Sequence, residues 1–234
     1  MDYTDKIINF CKNNRVSTTE VADALGKSGV LPGVLPIIGS IYRVGKVRCI
    51  YTSHNSNWAV HEQIKKVLPG DVVLIFTKCC DDDRAVIGDL ISKFILLYKQ
   101  ASAIVVVGKI RDAARLIKDR YAVWSKGVSP LGCFNKHLGD FPAEEMSRLN
   151  ELYNNGIAVC DDGGVTIIPK NRLNEDMLKR LHRIEMQEDI WSFCLDTLKW
   201  DTKKIVCDKD YLQQTDLLSS IHIDQLSELN KPLD

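Results

Sequence analysis

Arg111 and Asp112 stand three residues past the apolar run Ala103-Ile-Val-Val-Val107, separated from it by Gly108-Lys-Ile. A guanidinium can fork onto a carboxylate or an enolate oxygen. The neighbouring carboxylate can hold a hard divalent cation through oxygen. A second stretch with chemical potential is Ile87-Gly88-Asp89-Leu90-Ile91, where the region of the run Asp71-Val-Val-Leu-Ile-Phe76 turns into a helix. Gly88 lets the backbone approach a ligand closely. The amides that follow it would sit at a helix N-terminus, where free N–H groups and the positive end of the dipole suit a carboxylate or phosphate. Each feature also has an ordinary use. An aspartate in a first helical turn often only compensates the dipole, and an arginine there is often solvated.

Other reactive residues are less telling. His61 could help in proton transfer, but a lone histidine beside Trp58 and Val60 is also an ordinary helix residue. Asp81-Asp82-Asp83 could be a metal cluster, and reads more simply as a solvated loop ahead of the turn at Gly88. Eight cysteines are scattered without a Cys-x-x-Cys pair, which argues against a thiolate zinc site and for small buried thiols in a reducing compartment.

The elements that must hold these residues follow from periodicity. Unalternating apolar runs at 71–76 and 103–107 predict strands covered on both faces, and a helix-length segment, Ile87–Gln100, lies between them. Arg111–Lys118 is expected to be helical and Tyr121–Ser125 to be another short strand, so the middle of the chain reads as β-α-β units. Ligands bind at the carboxyl ends of strands in such folds, which is where both stretches fall. Upstream, the first forty residues read as helical, with a capping box at Ser17-Thr-Thr-Glu20. A connector at 33–39, a strand at Lys46–Thr52 and a helix at Trp58–Val67 follow. Downstream come a charged helix at Ala143–Tyr153, a hairpin of Ile157–Cys160 with Val165–Ile168, and a long amphipathic helix at Leu173–Trp191.

The 234 residues carry 31 basic and 31 acidic side chains, so the basic excess of a nucleic-acid binder is missing. No apolar run approaches the roughly 18–20 residues needed to span a bilayer. The acidic start, Met1-Asp-Tyr-Thr-Asp, is unlike a signal peptide, and a cytoplasmic protein without membrane or nucleic-acid partners is expected.

The order and spacing of the pieces resemble the RraA-like family. Gly88-Asp89-Leu90 and Gly108-x-x-Arg111-Asp112, about twenty residues apart, are similar to its signature. Ser17–Leu25 is similar to its opening helix, Asn57–Ile64 to the helix before Pro69-Gly-Asp-Val-Val73, and Lys126–Pro130 and Asp162–Pro169 to later segments. The family includes class II 4-hydroxy-4-methyl-2-oxoglutarate / 4-carboxy-4-hydroxy-2-oxoadipate aldolases and regulators of ribonuclease activity. The resemblance covers roughly residues 15–190.

It implies a swivelling β/α/β domain over residues 1–191, helical at about 1–40, with residues 192–234 as a helical C-terminal appendage. It also implies a homotrimer, or a hexamer built as a dimer of trimers, with the site between subunits. Gly88, Asp89, Leu90 and Ile91 would contribute backbone amides to the carboxylate of a 2-oxo acid, and Arg111 would contact its pyruvyl part. Asp112 would bind Mg2+ or Mn2+, largely through waters, with Glu188 of a neighbouring subunit, or else Glu185, completing the site. The implied reaction is metal-dependent cleavage of a 4-hydroxy-2-oxo acid to pyruvate, with oxaloacetate decarboxylation as a side activity. Two alternatives stay open: a non-catalytic protein-binding regulator, and a same-fold enzyme acting on another sugar or keto acid. The gap from Asp89 to Arg111 is one residue longer than usual in the family, with the extra residue expected near Lys99-Gln-Ala-Ser102.

Overall fold

The computed structural model describes residues 2–229. They divide into two compact units, Met1–Leu173 and Asn174–Asp234. The first is a mixed α/β unit whose elements are α1 (Tyr3–Asn14), α2 (Thr18–Ala24), β1 (Leu35–Pro36), β2 (Arg43–Ser53), α3 (Trp58–Gln63), β3 (Val72–Lys78), β4 (Ala85–Ile87), α4 (Asp89–Lys93), β5 (Ala103–Ile110), α5 (Ala113–Lys118), β6 (Val123–Val128), α6 (Ala143–Tyr153), β7 (Ile157–Asp161) and β8 (Gly164–Ile168). The capping box at Ser17 is formed in full.

One sheet runs in the order β1-β6-β5-β3-β2-β7-β8. The four central strands β6, β5, β3 and β2 are parallel, and the β7–β8 hairpin adds antiparallel to β2. Successive side chains of β3 feed opposite faces. Val72, Leu74 and Phe76 join a core with Val105 and Trp124, while Val73 and Ile75 join another with Ile104, Val106 and Leu116. A strand buried on both faces has no polar side to show, so its sequence is an unbroken apolar run.

The stretch 85–87 reads from sequence as loop and helix start, yet it forms β4, which pairs parallel with the far end of β5. β3 pairs with β5 only as far as Phe76↔Val107, and β4 takes over at Ala85↔Lys109. Three residues are too few to show a period, so this strand is decided by a free length of β5 edge.

The helix expected over 87–100 is α4 followed by a π-helical turn at Phe94–Tyr98. A π turn accommodates one residue more than an α turn. It lies just before the place where the sequence puts the extra residue.

The second unit is helical, with α7 (Glu175–Asp196) and α8 (Ser220–Leu229). Asn174 caps α7 through its side chain, and Ile190, Cys194, Ile205, Tyr211, Leu218 and Leu226 are buried together. The division expected after residue 191 falls inside α7. No helix among the described residues is long and apolar enough to cross a membrane.

Candidate active site

Parallel pairing of β4 with β5 delivers the two chemical stretches side by side. β4 ends in Gly88 and β5 ends in Arg111, and the Arg111 amide donates to the Ile87 carbonyl at 2.9 Å. Arg111 and Asp112 precede α5 instead of lying in its first turn, as the sequence had suggested. Asp112 is its N-cap, in the left-handed region at φ 60°, which aspartate tolerates better than most residues. Its side chain does not cap its own helix. Oδ2 instead accepts from the Asp89 amide at 3.1 Å and lies 3.6 Å from Arg111 Nε.

Gly88 is required by space, since its φ of −137° is open to any residue. A Cβ there would fall onto Asp112 Oδ2 and come within 2.9 Å of Arg111 Cγ. On the other side, a Cβ on Gly132 would collide with Arg111 Nη1. The arginine side chain thus runs between two glycines. Leu90 and Ile91 lie in the first turn of α4, so their amides have no i−4 partner within the helix. The Asp89 amide, one of the expected substrate contacts, is already engaged by Asp112.

These residues line a cleft of about 100 Å³, together with Asn57, His61, Cys133 and Asn135. His61 is exposed, and with Leu90 and Ile91 it also lines a larger, mainly apolar cleft of about 650 Å³. Burial pushes the Cys133 thiol up to about 11, so it is protonated at neutral pH and is no nucleophile.

Among the described residues there is no group of three His, Cys, Asp or Glu able to hold a metal. Asp81 and Asp83 go to separate partners, Arg84 at 3.1 Å and Lys109 at 2.7 Å. Asp89 and Asp112 both line the cleft, and Asp112 is exposed. One or two carboxylates are a usual protein share for a magnesium ion that keeps most of its waters. The residues present therefore fit a largely hydrated divalent ion. Glu188 lies exposed on α7 of the second unit, with Glu185 half-buried one turn before it. Asn57, Gly132, Cys133 and Asn135 were not foreseen as part of the site. Only Asn57, a helix N-cap residue beside His61 in the chain, carried a local signal.

Residues 18–167 match the RraA-like family model, described as Aldolase/RraA. The chain belongs to the RraA-like family. A curated Halalkalibacterium halodurans protein named "Putative 4-hydroxy-4-methyl-2-oxoglutarate aldolase" is 25% identical over 178 residues, 74% of this chain and 82% of that one. Two solved structures share the RraA fold. A Pseudomonas syringae pv. tomato protein described as uncharacterized has a TM-score of 0.65 at 21% identity, covering 82% of this chain and 93% of its own. Streptomyces coelicolor RraAS2, described as an unusual member of the RNase ES inhibitor RraA protein family, has a TM-score of 0.61 at 20% identity, covering 76% of this chain and 91% of its own. The RraA-like family thus spans a protein named as an aldolase and others named as inhibitors of RNA processing.

Proposed function

We propose that this chain is a divalent-metal-dependent lyase that cleaves a 4-hydroxy-2-oxo acid to pyruvate through an enolate, with oxaloacetate decarboxylation as a side activity. The observation that carries the reading is the Arg111 guanidinium beside Asp112, both facing the amides of Leu90 and Ile91 across one small cleft. Those amides would receive the substrate carboxylate. Arg111 would fork onto the 2-oxo oxygen, where negative charge develops. Loss of the 4-hydroxyl proton to a water polarised by Arg111 makes C4 a carbonyl and breaks the C3–C4 bond. The electron pair of that bond becomes the C2–C3 double bond of pyruvate enolate. His61 is the titratable group lining the cleft that can return a proton to C3. A magnesium or manganese ion held by Asp112 would supply Lewis-acid stabilisation of the same charge. Decarboxylation of oxaloacetate yields the same enolate, so it needs no further groups.

The resemblance also supports assembly as a trimer or a dimer of trimers, with Glu188 of the partner subunit completing the metal site. Light scattering tests this: a concentration-independent monomer with full activity would exclude it. The function is tested by pyruvate release from 4-hydroxy-4-methyl-2-oxoglutarate and from oxaloacetate, with and without EDTA. Activity in the presence of magnesium and its loss in EDTA are expected. Activity that survives EDTA would overturn the metal-dependent mechanism. No activity on any 2-oxo acid, with micromolar binding to a ribonuclease assembly, would favour the regulator reading instead.

A further inference from the structure

Asn57 is a polar residue in the cleft whose side chain does nothing for the fold. It stands at the N-cap of α3, where an asparagine normally folds its side chain back onto the first amides of the helix. No such bond is made; the Trp58 amide is taken by Ser56 Oγ at 3.1 Å instead. The Asn57 backbone is fully employed. Its amide donates to the Phe134 carbonyl at 3.0 Å, and its carbonyl accepts from Val60 and His61 at 3.0 and 3.3 Å. The residue is only 7% exposed, and Oδ1 is enclosed with no hydrogen-bond partner among the described residues. A buried acceptor left unpaired costs on the order of 1–3 kcal/mol, so selection for stability alone would remove it. Asn57 lines the same cleft as Arg111, Asp112 and Gly88.

We propose that Asn57 is a specificity-determining residue whose carboxamide oxygen accepts a hydrogen bond from the C4 hydroxyl of the substrate. This rests on the lyase reading and adds to it the group that distinguishes the aldol from a plain 2-oxo acid. The side chain holds no bond among the described residues, so the amide can turn about χ2 to meet a ligand at little cost. An unpaired acceptor calls for a donor. The 4-hydroxyl is the donor that a 4-hydroxy-2-oxo acid brings and oxaloacetate lacks. Holding that hydroxyl orients the O–H and C3–C4 bonds for cleavage. Decarboxylation, which breaks a C–C bond to a carboxylate, needs no such grip.

The test compares wild type with Asn57→Ala and Asn57→Leu on 4-hydroxy-4-methyl-2-oxoglutarate and on oxaloacetate, with magnesium present. Both rates are read on one sample, so their ratio does not depend on how much of a variant is folded. Cleavage of the hydroxy acid is expected to fall about 10-fold or more in kcat/KM, with decarboxylation changed less than about twofold. Melting temperature should not fall in Asn57→Ala, because no side-chain hydrogen bond is lost. A parallel fall of both activities, or no fall in either, would overturn the assignment while leaving the lyase reading intact. Wild type inert on both substrates would overturn the lyase reading and this assignment with it.

Discussion

The backbone amide of Asp89 donates to Asp112 Oδ2 across 3.1 Å, so the main chain of one motif fixes the carboxylate of the other. Because Asp112 sits in the left-handed region and leaves α5 uncapped, its side chain is free to reach across to β4's continuation. One oxygen is held by this bond. Oδ1 makes no hydrogen bond among the described residues and is the oxygen available to a cation.

Asp112→Asn tests that division of labour. Asparagine tolerates the left-handed backbone and still offers an oxygen to the Asp89 amide, so the fold should hold. The side chain is exposed, and stability should stay within about 0.5 kcal/mol of wild type. Apparent magnesium affinity, read as the metal dependence of pyruvate release, should weaken about 10–100-fold. Unchanged metal dependence would remove Asp112 from the metal site.

Arg111→Lys should fail for a different reason. A point ammonium cannot reproduce the guanidinium fork between the two glycines, Gly88 and Gly132. Loss of charge stabilisation should appear mainly in turnover, by about 10²–10³-fold, with a smaller change in KM. Steady-state kinetics on either substrate reads the split, and a change confined to KM would mean that Arg111 only binds.

Gly88→Ala separates space from backbone freedom. Its φ is ordinary, so the folded state should survive, but the new methyl group must displace the Asp112 carboxylate or the Arg111 stem. Circular dichroism close to wild type, together with loss of most activity, is expected. A fully active Gly88→Ala would show that the pair does not work where it stands.

Cys133 is protected by burial, and its titration has a definite sign. In the folded state the thiol holds its proton to about pH 11, whereas its ordinary value is 9.0. Its contribution to stability is present in full below pH 9 and is lost as pH rises through about 11. Iodoacetamide at pH 8, followed by peptide mapping, should label exposed Cys79 and Cys207 well ahead of Cys133. Cys133→Ala should leave pyruvate release unchanged. Rapid labelling of Cys133 at neutral pH would contradict this.

Much of the scaffold was legible in the sequence because its strands are buried on both faces. Val72–Phe76 and Ala103–Val107 could hardly be anything but central strands, and the Ser17 capping box and the hairpin at 157–168 announce themselves locally. The motif residues at Gly88 and Arg111 were also visible, but not the device that joins them. β4 is three residues long and exists because β5 outruns β3, a tertiary fact with no local trace. The helical reading of Arg111 and Asp112 failed because a left-handed residue ahead of α5 has no periodic signature. Asn57 was hidden for the same reason: what matters is a bond that it does not make.

The π turn at Phe94–Tyr98 has a consequence for how such chains drift apart. The number of residues between Gly88 and Arg111 is set by the crossover from β4 to β5, whereas their proximity is set by the pairing of those two strands. Length can therefore change by one in the crossover without moving either group, the surplus being taken up in a widened helical turn. A recognition pattern that fixes the interval from Asp89 to Arg111 would reject this sequence, although its geometry is preserved. The invariant to look for is a strand-to-strand register, and single-residue insertion or deletion within 94–102 is the change that this architecture is built to absorb.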